Sequence, residues 1–177
     1  VDNAGSSPES SALIAALGLQ ILPVEGIWFR ETWRGPDLAP HGAPLGTAIY
    51  GLITDHPDSF SSLHLLEADE MWHFYSGDPL EMLLLNPDGS HTVATLGPDV
   101  LGGESPQILV PAGVWMGADL APGGRWCLFG TTMAPGFTPA MFRSGNAHHL
   151  SDHWWAAAAH IHRLWRPDAP EHMPDTL

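Results

Sequence analysis

Within the run SSLHLLEADEMWHFYSGDPL, two imidazoles and a carboxylate, His64, Glu70 and His73, fall inside ten residues. Groups of these types do one of two things. They ligate a divalent transition metal, which needs three or more nitrogen, oxygen or sulfur donors. Or they move protons, because imidazole titrates near neutral pH and a neighbouring carboxylate orients it and favours its charged form. Strand parity separates the two. In FSSLHLL, Phe60, Ser62, His64 and Leu66 share one face; in EMWHFYS, Glu70, Trp72, Phe74 and Ser76 share one face. If these faces point inward, His64 and Glu70 meet across adjacent strands and His73 points away. A bulge is needed to bring His73 back. The plain structural alternatives are a core histidine on a backbone carbonyl and a Glu70 carboxylate paired with Arg30.

Further groups are candidates to hold a substrate. In GIWFRETW, Arg30 and Thr32 share one parity with Gly26 and Trp28, and Glu25, Phe29 and Glu31 share the other. Arg30 is expected to face the pocket with Thr32 and to serve as an anion or enolate anchor. Gln107 opens the run QILVP and is expected to point inward. Ser62, Trp72, Phe74 and Met116 complete the expected lining, an aromatic and apolar wall with few polar groups. His149 and His153 are four apart, but Ser151 as a helix N-cap leaves His149 outside the helix.

The elements that must position these groups are short. GIWFRETW, GTAIYGLIT, FSSLHLL, EMWHFYS, LEMLLLN, HTVATLG, QILVP and WCLFGTTM read as strands, punctuated by DHPDS, SGDP, NPDGS and APGG. Many short strands with Gly, Pro and Asp turns specify a sandwich or barrel. SALIAALGLQ predicts a short helix stopped at Gly18. SDHWWAAAAHIHRLW repeats apolar residues at helical spacing and predicts a second helix over about 148–165, with Ser151 as N-cap and Pro167 as stop. Residues 1–11 read as a flexible leader, 12–166 as one domain, and 167–177 as a tail.

The 177 residues carry 20 acidic and 6 basic side chains, a net charge of −14. All the bases are arginine. Without lysine there is no Schiff base and no phosphate-loop lysine. The negative charge argues against nucleic-acid binding. No run reaches the roughly 20 apolar residues of a membrane span. Cys127 is the single cysteine, so no intrachain disulfide forms, which suits a cytoplasmic protein. It sits in an apolar strand and reads as a buried structural thiol.

The stretches PVEGIWFRETWRG, LHLLEADEMWHFYSGDPLEMLLL, PQILVPAGVWMGA and APGF occur here in this order. Together they resemble a small single-domain cupin family of the RmlC-like jelly-roll superfamily, long catalogued as a domain of unknown function. The resemblance spans roughly residues 12–165. It implies a mainly β fold, a double-stranded β-helix with an internal pocket and short terminal helices, usually in a homodimer. Measured against the general cupin metal pattern, Glu70 and Gly77 keep their spacing and His64 resembles the second histidine. Ser62 and Met116 stand where two other ligands belong. The expectation is therefore a metal-independent isomerase, epimerase, cyclase or lyase with no cofactor. His64 is the expected base, Glu70 its partner, and the substrate a polar or carbonyl-bearing metabolite. The alternatives are a metal-dependent cupin such as a dioxygenase, ligated by His64, Glu70 and His73, and a non-catalytic binder. The superfamily's metal-free sugar 3,5-epimerases, which use a strand histidine as base, are an analogy at the level of fold.

Overall fold

The structure is a computed structural model that describes residues 7–39 and 42–174. Most of the expected leader falls outside these residues. Two antiparallel sheets face each other. One has six strands, in the order β1 (Gln20–Ile21), β2 (Trp28–Arg34), β3 (Thr47–Thr54), β10 (Trp126–Met133), β5 (Glu70–Gly77) and β8 (Gln107–Val110). The other has five, in the order β11 (Phe142–Ser144), β4 (Ser61–Leu66), β9 (Trp115–Leu120), β6 (Leu80–Leu85) and β7 (His91–Leu96). This is the jelly-roll arrangement.

Alternation along the strands sends one side chain in two into the space between the sheets. Trp72, Phe129, Met82, Leu80, Val110 and Ala118 meet there as the main core. Trp72 lies flat on Phe129, with ring centroids 4.7 Å apart. Cys127 is buried in the same core, and burial pushes its thiol pKa up, so it is inert.

Helices cover the outer faces in part. α1 (Pro8–Leu17) starts at Ser7, whose hydroxyl accepts from the Ser10 amide at 3.2 Å, and ends at Gly18 in the left-handed region. It packs Ile14 against Leu52 on the outside of the six-stranded sheet. The predicted C-terminal helix is instead broken. α2 (Ala147–His153) is capped by Asn146, whose side chain accepts from the amides of His148 and His149, and Ser151 lies inside it. At Trp154 the backbone leaves the helical region, and the Trp154 indole donates to the Asn86 carbonyl at 2.9 Å. α3 (Ala158–Arg163) follows. Leu150, Ala157, Ile161 and Leu164 of this broken pair bury Leu63, Leu83 and Leu85 on the back of the five-stranded sheet.

The segment after Arg166 does not trail away. The Ser144 amide donates to the Glu171 carbonyl at 2.8 Å, and Met173 is 5% exposed in the main core. Among the described residues, no helix is long and apolar enough to cross a membrane.

Candidate functional site

A bulge in β4 builds the site. Ser61 pairs with Ala118 and His64 with Met116, so three steps on β4 match two on β9. The extra residue changes the parity. Ser61 and His64 therefore both face the main core. Ser62 is turned outward, where its hydroxyl donates to the Leu164 carbonyl of the helical layer at 3.4 Å. The inward position expected for Ser62 belongs to Ser61.

Opposite His64 stands Glu25, in the turn between β1 and β2. That turn is held on three sides. The Gly26 amide donates to the Leu22 carbonyl at 2.8 Å, and the Glu25 carbonyl accepts from the Ser62 amide and from Nε of Arg166, each at 3.1 Å. Gly26 has a φ of 91°, and a Cβ there would run into the Arg166 guanidinium. The positive φ favours glycine, and the missing Cβ leaves the guanidinium its place. Arg166 also lies over the Phe60 ring at 4.1 Å and donates to the Asp58 carbonyl.

His64 is 1% exposed, and its Nε2 lies 3.2 Å from Oε1 of Glu25, itself 7% exposed. Its Nδ1 lies 2.8 Å from the Ser62 carbonyl, which can only accept, so Nδ1 carries the hydrogen. The ring stacks on Phe142 at 5.1 Å. Glu70 enters from β5 and accepts from the Trp72 indole at 2.8 Å, and the Thr131 hydroxyl beside it helps to lower its pKa against burial.

Burial dominates the electrostatics. It pushes the Glu25 carboxyl up to about 8, against smaller lowering effects of Ser61 and Arg166. The Ser61 hydroxyl is close by without closing a hydrogen bond of good geometry. Burial likewise lowers the pKa of His64 and raises that of Glu70. At neutral pH Glu25 keeps its proton and offers it to Nε2. Glu70, rather than the nearer Glu25, is then the carboxylate whose charge favours a protonated His64.

Glu25 and Glu70 both stand in the wall of a cavity of about 60 Å³ between the sheets. A single buried water needs roughly 10–15 Å³ on such a measure, so there is room for a few waters or one compact molecule. Trp72, Phe129, Phe142 and Met133 supply apolar walls, and Met173 closes one side. His64 sits behind the carboxyls rather than on the wall.

The other expected residues divide. Trp72 lines the cavity; Phe74 and Met116 pack in the core beside it without lining it. Arg30 and Thr32 point the wrong way. β2 turns Phe29 and Glu31 inward, leaving Arg30 outside over the Tyr50 ring at 5.6 Å and Thr32 donating to the Ala48 carbonyl. Because of this Glu70 has no pairing with Arg30. Gln107 is also outside: its amide lies 2.9 Å from Nδ1 of His73, whose Nε2 lies 2.9 Å from the Thr132 hydroxyl.

Glu25 escaped the sequence reading as a site residue, although it shares parity with Phe29 and Glu31. The signal was the polar residue in PVEGIW just before a strand. His73 lies across the sheet from Glu70, so the trio His64, Glu70 and His73 cannot converge on one ion. Met116 and the outward Ser62 leave two cupin ligand positions unfilled. Among the described residues no three His, Cys, Asp or Glu side chains are grouped to hold a metal. The residues present do not fit a metal centre.

Known structures share this framework. A crystal structure of a protein from Shewanella oneidensis is 33% identical, with a TM-score of 0.82, over 90% of this chain and 98% of its own. A hypothetical protein from Leishmania major is 27% identical, with a TM-score of 0.80, over 88% and 98%. A cupin 2 domain-containing protein from Halorhodospira halophila shares the fold at 14% identity and a TM-score of 0.55, over 81% and 86%. No curated protein matches the chain. The profile of the family described as Cupin superfamily (DUF985) matches residues 11–144, and the chain belongs to that family.

Proposed function

We propose that the cavity is the active site of a small-molecule enzyme that works by metal-independent acid–base chemistry of the isomerase, epimerase, cyclase or lyase type. The observation that carries this is the pair of buried wall carboxyls, Glu25 and Glu70, with His64 3.2 Å behind the first. Glu70, held by the Trp72 indole, is the base. It removes a proton from carbon next to a carbonyl. Glu25, kept protonated by burial, is the acid: its one hydrogen turns from His64 Nε2 to the carbonyl oxygen and protonates it as the enol forms. In the free protein His64 accepts from Glu25 and orients it; it is a positioning residue rather than a wall group. Return of the proton from Glu70 to another carbon, and of the enol proton to Glu25, restores both carboxyls. Raised carboxyl pKa values suit this, because a base near the operating pH transfers protons best.

The test is exchange of α-hydrogens of small carbonyl compounds in D2O, followed by NMR. Glu70→Gln is expected to lower the enzyme-dependent rate by about 10²-fold or more. Exchange in Glu70→Gln and Glu25→Gln as fast as in the wild type would defeat the reading.

We also propose that the chain forms a homodimer through the outer face of the six-stranded sheet. α1 covers one end of that face. The other end shows Trp33, Leu45, Tyr75 and Leu109, each about half exposed, around the His73–Gln107 bond. Large exposed apolar residues grouped on a sheet face favour burial against a partner.

A further inference from the structure

We propose that the cavity accepts uncharged hydroxyl- or carbonyl-bearing molecules and rejects carboxylates and phosphates. This rests on the reading of the cavity as the active site and adds the charge class of its substrate.

The argument is an inventory of cations. The chain has no lysine. None of its six arginines lines the cavity. Arg30 lies outside over Tyr50, and Arg143 is on the edge strand of the other sheet, at a groove by the helices. Arg125 and Arg163 pair with Glu9 and Glu81 on the surface. Arg166 is spent on the backbone of the Glu25 turn. Arg34 reaches two wall residues, Glu31 and Phe137. Its guanidinium is held by both oxygens of Glu31, at 3.0 and 2.6 Å, and by the Phe137 carbonyl at 3.1 Å. An entering anion finds no free countercharge.

The wall itself bears carboxyls. Glu25, Glu31 and Glu70 all face the cavity. His64, the one imidazole in the cluster, has both nitrogens engaged, by Ser62 and by Glu25. An anion would lose its water, gain no cationic partner and meet the Glu70 carboxylate at close range. An organic cation is disfavoured for a different reason. Glu31 is spent on Arg34, Glu25 is protonated, and the single charge of Glu70 does not offset the water that a buried cation loses. A cation gains a second charged partner only by driving a proton off Glu25. A neutral carbonyl or hydroxyl does neither. It draws the Glu25 hydrogen from His64, its hydroxyl gives a hydrogen bond to Glu70, and its carbon skeleton lies on Phe142 and Trp72.

Three probes on one skeleton test this with the full chain: hydroxyacetone, pyruvate and aminoacetone. Binding is read at pH 7 by saturation transfer and by competition between probes. Hydroxyacetone is expected to bind at least tenfold more strongly than pyruvate, and aminoacetone to bind more weakly than hydroxyacetone and to release a proton. Equal or stronger binding of pyruvate, a preference for aminoacetone, or no transfer to any probe overturns the proposal. Met173→Ala, which bares the cavity, must lower transfer or alter it; unchanged transfer means that the probes bind elsewhere and also overturns it. Deuterium wash-in, recorded on the same samples, separates the two claims. A retained neutral preference without Glu70-dependent exchange defeats the catalytic reading alone.

Discussion

At the scale of the residue, Glu25 sets the behaviour of the site. Its carboxyl holds a proton up to about pH 8 in the folded chain and ionises near 4.5 when solvated. Between those values the folded state binds the extra proton. Stability is therefore fully present below about 4.5 and is lost as pH rises toward 8. The slope reaches at most about 1.4 kcal/mol per pH unit. Glu25→Gln keeps a donor for His64 and cannot ionise. Urea midpoints at pH 5 and pH 8 are expected to lie closer together in this variant than in the wild type. The inward direction of His64 and Glu70 was legible from residue type and parity, but the bulge separates His64 from the Ser62 that parity set beside it and leaves it behind the wall. The direction of Arg30 and Thr32 was not legible. Their strand offers two plausible faces, and the choice fell to burial: Ile27 and Phe29 take the core and carry Glu31 inward with them.

At the scale of the element, the bulge in β4 decides which serine sees the site. One extra residue shifts Ser62 to the helical side and puts Ser61 near Glu25. Periodicity cannot show an inserted residue, since each half of the strand alternates normally by itself. Ser62→Ala is expected to cost under about 1 kcal/mol, the worth of one hydrogen bond, and to leave probe binding unchanged. Calorimetry and saturation transfer check both statements. β9 was equally hidden. PAGVWMGADLAPGG looks like consecutive turns, yet Trp115–Leu120 is a strand between β4 and β6. Its glycine is a packing device: Gly117 faces the helical layer, where a Cβ would crowd the Ser61 carbonyl and Leu164. The C-terminal segment was read as a tail because Pro and Asp fill it; one methionine anchors it. Met173→Ala is expected to destabilise the fold by about 2 kcal/mol, at the low end for a buried methionine, and to admit bulkier neutral carbonyl compounds. Denaturant titration and competition binding measure the two effects.

At the scale of the whole molecule, the two sheets use their faces differently. The inner faces hold the core and the cavity. The back of the five-stranded sheet is closed by α2 and α3, and the back of the six-stranded sheet only partly by α1. Leu109→Glu places a charge on the open part, 49% exposed in the single chain. It is expected to convert a dimer to a monomer by light scattering while leaving the cavity intact. The jelly roll was readable from the spacing of strands and the motif order, since these are set by chain length per strand and by turn chemistry. What the spacing could not carry was the return of distant chain to the site. Glu25, His64 and Met173 lie far apart in sequence, and Met173 follows His64 by 109 residues. At roughly 5–20 residues per second, a ribosome delivers the methionine about 5–20 s after the histidine. During that interval β5 to β11 and then the Met173 wall are still being added, and water reaches the Glu25 carboxyl. The nascent chain thus carries an ordinary ionised acid there, and the finished protein takes up a proton as its last wall closes.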